Sequence, residues 1–355
     1  MPPVPVRMWG PGRSVYLFGS ARIRYQDVRP LILRLSRESS VSMVMRFGFF
    51  STLAIAFLGI GAALAEDPSK LEPPRLLESR ESIYNNIYVY QRSQYVILTF
   101  GHNKQIYTES VFNGGDDREL VITYTQFMTA GLMYPKNVTS ILEIGTGGGR
   151  TAWYLHRFLP HVRVTSVELD PAVVELSRKY FGLKDEPNFA LEAKDGRLFL
   201  AQSKDRYDII MIDAYRGPFV PFHLLPKEFY QIVRDHLAEG GVVVQNVASD
   251  TMLFDAAMKT IGAVLPQLEF YKSDDNYVTV AYDGPARKLE DLAAIAAERD
   301  KAFGLRYPLA GMLAQRKAVD LNDAKMISPK ATVLTDDFAP VEALKSIERH
   351  NRKLP

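Results

Sequence analysis

The chain has 355 residues, 47% hydrophobic and 24% charged, which is ordinary globular usage and excludes a disordered or fibrous protein. Cysteine is absent, which excludes disulfide frameworks, Cys-ligated zinc, iron–sulfur clusters and thiol nucleophiles together, and the six histidines show no metal spacing, so no metal is expected. The net charge of +2 is unevenly spread: residues 1–65 hold eight arginines and no lysine against Asp27 and Glu38, which leaves the remainder mildly acidic, without the basic face a nucleic-acid partner would need.

Residues 1–44 are Arg-rich, contain proline and lack periodicity; they read as a non-structural segment upstream of the true start. From Phe47 to Ala65 there is no charge, Arg46 precedes the run and Ala63-Leu64-Ala65 closes it. A short basic region, an apolar core and an A-x-A ending describe a signal peptide over 45–65. The alternative is a membrane anchor, since 47–65 is close to the ~20 residues a spanning helix needs. In both cases Arg46 stays inside and the body is exported, periplasmic or held at the outer face. A helix buried in a cytoplasmic protein is the remaining alternative.

Residues 66–81 are polar and proline-containing and read as a linker. Residues 82–117 read as a small β-hairpin domain, with turn signals at Arg92-Ser93 and Gly101-His102-Asn103. The spacing of Leu120, Tyr124, Phe127, Met128 and Leu132 predicts a helix over 118–134. Strands are then expected at 140–144, 162–168, 188–192, 207–213 and 241–247, each followed by a helix, at 149–158, 171–181, 195–203, 226–238 and 251–264. Two more strands, 268–271 and 277–282, are joined by a short turn. Such alternation predicts a doubly wound parallel sheet of seven strands with an antiparallel final strand, of the Rossmann type used by AdoMet-dependent methyltransferases, over 118–285. Residues 286–355 read as a helical, then irregular, extension.

The strongest local feature is Ile141-Leu142-Glu143-Ile144-Gly145-Thr146-Gly147-Gly148-Gly149-Arg150: an apolar strand, a glycine turn, then a helix. Glycines let a ligand approach the backbone, and the helix N-terminus favours polar or anionic groups. The acid Glu168 ends the next strand, where a carboxylate can accept both ribose hydroxyls of an adenosine. A nicotinamide fingerprint would need glycine at position 150, where the chain has Arg150. The G-x-G-x-G pattern behind Glu143 is instead that of AdoMet-type sites. Asp195-Gly196 follows the third strand in register, where Asp195 can read an adenine amino group or simply cap a helix.

With these segments in this order, residues 82–247 resemble spermidine synthase, the polyamine aminopropyltransferase family, and most closely its bacterial spermidine synthase-like branch. The resemblance is carried by Tyr84-Asn85-Asn86-Ile87, Gly101 through Gln105, ILEIGTGGG, VELD, AKDGRLFL, YDIIMIDAY and PFHLLPKEFY, with LTDDFAPVE matching near the end. It implies transfer of an aminopropyl group to a small amine, with decarboxylated S-adenosylmethionine (decarboxylated AdoMet) as co-substrate. On this resemblance Glu143, Gly145, Gly147, Gly149, Glu168, Asp195 and Gly196, with Asn85 and Gln105, hold the nucleoside and its thioether region. Tyr124 closes over the acceptor, Asp213 is the catalytic acid-base, and Tyr215, Arg216 and His223 line the acceptor side. A homodimer is also implied. The chemistry explains the Asp: a primary amine with a pKa near ~10.4 arrives protonated, so a carboxylate must take its proton and hold it in line.

Three positions depart from the family pattern. Arg216 stands where D-x-x-D would place a second acid, Gly148 where the glycine loop usually carries an Asp, and Leu120 where an acid precedes the Tyr, with Glu119 shifted by one. Each missing carboxylate would have faced a cationic amine. Two other readings therefore stay open: an AdoMet-dependent methyltransferase with Arg216 near the substrate carboxylate, and an exported nucleoside-binding protein without turnover.

Overall fold

The computed structural model describes residues 73–102, 105–216, 220–248, 252–273 and 276–340. The segments expected at 1–44 and 45–65 lie outside them. Among the described residues no helix is long and apolar enough to cross a membrane.

Four strands open the described chain: β1 (Arg75–Glu81), β2 (Asn86–Arg92), β3 (Tyr95–His102) and β4 (Gln105–Asn113), antiparallel in the order β1-β2-β3-β4. β2 and β3 meet at a two-residue turn in which Ser93 takes φ 52°, as tight hairpins require. One face of this sheet, with Ile87, Val89, Leu98 and Phe100, packs on Val173, Leu176 and Phe181. The linker expected over 66–81 gives way to β1 from Arg75. Its sequence, RLLESRE, lacks a clean alternation, and its support comes from far along the chain, where Lys179 and the Tyr180 hydroxyl reach Glu78 and Glu175 reaches Arg80. Lys179 and Arg80 hold the Glu78 carboxyl down at about 2. Between β3 and β4 the register steps from Leu98–Ser110 to Thr99–Thr108, leaving Glu109 as the extra residue of a β-bulge.

The helix expected over 118–134 is shorter. α1 (Thr123–Met128) is followed by a 3-10 turn, Thr129–Met133, and Ile122 just before it is extended. Leu120 is pinned there, its N–H donating to the Tyr307 hydroxyl and its carbonyl accepting from the Gln126 amide. These partners are tertiary, so the helical spacing alone could not show the boundary.

The main sheet has eight strands: β5 (Ser140–Ile144), β6 (Arg163–Glu168), β7 (Phe189–Ala193), β8 (Tyr207–Ile212), β9 (Leu237–Ala248), β10 (Gln267–Ser273), β11 (Asn276–Tyr282) and β12 (Arg316–Ala318). Their order is β12-β10-β11-β9-β8-β5-β6-β7; β5 to β9 run parallel, and β10, β11 and β12 pair antiparallel. Helices α2 (Arg150–Phe158), α3 (Pro171–Tyr180), α4 (Gly196–Gln202), α5 (Lys227–Asp235), α6 (Met252–Gly262) and α7 (Leu289–Phe303) cover it. The apolar strands feed both faces: Ile141 joins Trp153, Tyr154 and Leu292 on one side, while Leu142 and Ile144 join Phe229, Phe254 and Ile261 on the other.

The sheet therefore has one strand more than expected. β12 is three residues long and is held by a buried ion pair, Arg316 Nε and one terminal nitrogen donating to Glu269 at 2.5 and 2.6 Å. α5 ends earlier and β9 starts earlier than expected, because Leu237 already pairs with Tyr207.

The strand order reverses beside β5: β6 and β7 lie on one side, β8 and β9 on the other. In open α/β sheets ligands bind at the carboxyl ends of the strands at such a switch point. Here those ends carry the glycine turn after β5, Glu168 at the end of β6 and Asp213 after β8.

Candidate active site

The glycine turn is shaped by its neighbours. Gly145 has φ 90°, and a Cβ there would lie 2.5 Å from the backbone of Asp213 and Ala214, so only glycine lets β8 pass this close. Gly149 packs under Leu183, in the loop after α3, and Gly196 packs against Ile144, where α4 closely approaches β5. Arg150, which breaks the nicotinamide fingerprint, is buried. It donates to the carbonyls of Phe181 and Asp117 and stacks over the Phe112 ring at 4.4 Å.

Glu168 folds back on the turn. One oxygen accepts from the amides of Thr146 and Gly147 at 3.1 and 3.2 Å, and the other from the amide of Asp170 at 3.0 Å. Burial raises its pKa, with the backbone donors opposing. Glu143 lies beneath, accepting from the Ser166 hydroxyl, which also meets the Thr146 hydroxyl at 2.7 Å. Burial pushes the Glu143 carboxyl up to about 8.

Asp213 is held from two sides. The Tyr124 hydroxyl donates to Oδ2 at 2.9 Å, and Asn246 Nδ2 donates to Oδ1 at 3.0 Å. Asn246 is itself oriented by Asn276, whose amide donates to its Oδ1 at 3.0 Å, and its carbonyl accepts from the Tyr215 hydroxyl. Burial pushes the Asp213 carboxyl up to about 6, against the opposing pull of these two donors. Asp213 and Tyr124 line one small cavity, about 20 Å³, together with Glu109, Glu143, Thr146 and Arg150.

Other expected site residues lie apart from this cavity. Asn85 lines a wider, open cleft of about 310 Å³ with Arg216 and Gly101. Its amide donates to Asp170, the N-cap of α3. Gln105 is exposed at the start of β4, where it accepts from the Tyr107 hydroxyl. Asp195 caps α4 through the amide of Leu198, and its other oxygen meets His223 Nε2 at 2.9 Å. His223 thus stands with Asp195 at the β7 side and not among the residues lining the Asp213 cavity. Glu119, the shifted acid, accepts from Asn113.

Sequence reasoning missed Asn246, Asn276, Ser110 and Glu109. The Gln245-Asn246 pair inside an otherwise apolar strand, VVVQNV, was a usable signal for Asn246. Ser110 accepts from the amide of Gly148 at 2.8 Å, tying β4 to the glycine turn.

Residues 122–281 match the spermine/spermidine synthase domain. A polyamine aminopropyltransferase of Vibrio vulnificus is 24% identical over 282 residues, covering 78% of this chain and 94% of its own length. The chain belongs to the spermidine synthase family. A second relative of this spermidine synthase family member, a probable polyamine aminopropyl transferase of Bifidobacterium longum, is 31% identical over 283 residues; the alignment covers 74% of this chain and 61% of that longer protein. The spermidine synthase of Thermotoga maritima shares the fold, with a TM-score of 0.58 at 22% identity, over 71% of this chain and 87% of that one.

Proposed function

We propose that this spermidine synthase family member moves an aminopropyl group from decarboxylated AdoMet to a small amine. The observation that carries the reading is the Asp213 carboxylate, gripped by Tyr124 and Asn246 at the switch point and facing the same cavity as the glycine turn. The family relationship supplies the substrate class.

The co-substrate brings a carbon activated by a sulfonium. The amine nitrogen forms a bond to that carbon, the carbon–sulfur bond breaks, and its electron pair returns to sulfur, leaving methylthioadenosine. The chain's own part is to bind, orient and deprotonate. The amides of Thr146 and Gly147 hold Glu168 against the glycine turn, and the remaining lone pairs of its carboxylate are what it offers to a ribose. Asp213 takes the proton that the amine sheds. Moving a proton from an amine of pKa ~10.4 to a carboxylate at 3.8 costs about 9 kcal/mol, and to one at about 6 costs about 6 kcal/mol. Burial therefore makes Asp213 a better base while leaving it ionised at neutral pH. Tyr124 and Asn246 fix both oxygens, so the carboxylate meets the amine in one orientation.

The test is production of methylthioadenosine and an aminopropylated amine by the purified full chain, with thermal stabilisation by decarboxylated AdoMet and AdoMet measured alongside. A ligand at ~100 times its dissociation constant adds about 2.7 kcal/mol of stability. Stabilisation by AdoMet alone, with no aminopropyl product, overturns the reading in favour of methyl transfer. The export expected from residues 45–65 remains a proposal supported by their charge-free run; N-terminal sequencing of the mature protein tests it.

A further inference from the structure

Two independent features single out Glu109. It is the extra residue of the β4 bulge, the device by which a strand turns a side chain away from its regular face. Its neighbour Ser110 contacts the glycine turn, so the bulge lies against the candidate active site. Glu109 Oε1 is buried and has no hydrogen-bond partner among the described residues, and the residue lines the cavity that holds Asp213.

The groups around that cavity are unbalanced. Among the described residues, Glu109, Glu143 and Asp213 line it against one cation, Arg150, whose terminal nitrogens are spent on the carbonyls of Phe181 and Asp117. Glu143 has the Ser166 hydroxyl and Asp213 has Tyr124 and Asn246; among the described residues Glu109 Oε1 has no such donor. Burial and the nearby Asp213 and Glu168 charges raise the Glu109 carboxyl well above the usual range. A buried carboxyl without a donor is costly unless a cation or donor arrives. The cavity, about 20 Å³, has room for one group the size of a water molecule, which is also the size of an ammonium head.

We propose that Glu109 receives the ammonium group of an amine-bearing substrate beside Asp213. The inference rests on the aminopropyl-transfer reading. It accounts for the acids missing at Gly148, Leu120 and Arg216: the anionic partner of the amine comes from β4, not from the glycine turn or the segment after β8. The ammonium belongs either to the propylamine arm of the donor or to the acceptor.

The experiment compares the full chain with Glu109→Gln by titration calorimetry. The ligands are decarboxylated AdoMet, methylthioadenosine, which lacks the ammonium, and 1,4-diaminobutane added to the methylthioadenosine complex. One ammonium-bearing ligand is expected to bind about 10- to 100-fold more weakly, the range of a charge-assisted hydrogen bond, with methylthioadenosine within twofold. Weakening of decarboxylated AdoMet assigns the donor arm; weakening of the diamine assigns the acceptor. The ligand-free variant is expected to melt at or above wild type, and Glu109→Asp, which keeps the charge, to recover part of the affinity. Unchanged binding of both ammonium ligands overturns the proposal, as does an equal loss for methylthioadenosine. Failure of the wild-type chain to bind either nucleoside sinks the functional reading; the diamine alone then judges Glu109, and equal binding by both proteins, or none, overturns it.

Discussion

Asp213→Asn separates the energetic cost of the buried carboxylate from its proposed use as a base. The substitution keeps the shape and leaves both partners served: Oδ1 still accepts from Asn246, and the new amide can donate to the Tyr124 hydroxyl. In the wild type, burial holds the carboxyl at about 6 against an ordinary 3.8. At about 1.36 kcal/mol per pH unit, carrying it ionised costs the fold roughly 3 kcal/mol. The side chain faces a cavity, not a dry core, so about 2 kcal/mol is the better figure after screening. Because the folded value is the higher one, the group favours the fold when protonated. That contribution is complete below pH 3.8 and is lost as the pH climbs through 6. The Asn variant should therefore melt about 4–8 °C above wild type at pH 8, with most of that gain gone by pH 4.5. Aminopropyl transfer should meanwhile fall about 10²–10⁴-fold, with methylthioadenosine binding unchanged. Calorimetric melting at the two pH values and a product assay at pH 8 measure all three. A gain of equal size at both pH values, or a loss at pH 8, refutes the burial argument. Unchanged turnover refutes the base.

Removing the phenol in Tyr124→Phe takes away a donor that lowers the Asp213 pKa, so the acid limb of the pH–rate profile should move upward from about 6, by up to about one unit; an unmoved limb contradicts the arrangement. Gly145→Ala forces a side chain into positive φ and onto the β8 backbone, and should cost more than about 2 kcal/mol in denaturant unfolding while abolishing nucleoside binding. A variant as stable as wild type would show that the turn is not held where it is described. Arg316→Met strands Glu269 in a buried setting with only tyrosine hydroxyls for company, an expected loss of about 3–5 kcal/mol. The double change with Glu269→Gln should return most of that loss, and urea midpoints distinguish the two cases.

The parallel sheet was legible because its strands are apolar on both faces and its helices alternate with them; 140–144 is the same strand in sequence and structure. The gathering of the glycine turn, Glu168 and Asp213 at the carboxyl ends of the strands was legible for a related reason. A glycine turn after a strand, an acid one strand over and an Asp after β8 are local signals placed by topology. What escaped depends on partners distant in the chain. β1 leans on α3, the start of α1 is set by Tyr307, and β12 exists because Arg316 finds Glu269. Glu109 escaped for a different reason: in YTESVF it reads as the solvent face of a strand, and only the slip in register shows where it points. Asp195 and His223 were read as two separate contacts, while the structure pairs them with each other.

The packing around Gly148 bears on how this site can change by mutation. A Cβ at that position would fall 2.6 Å from the Phe181 ring and 2.8 Å from the Ser110 Cβ, so an acid cannot be reinstated there by one substitution without disturbing two neighbours. Phe181 belongs to the interface of the small sheet with α3, and Ser110 follows the bulge. An acid at position 148 is therefore epistatically tied to the first sheet: it fits only where Phe181 and Ser110 give way, and a shift of β4 that made room for it would also move Glu109.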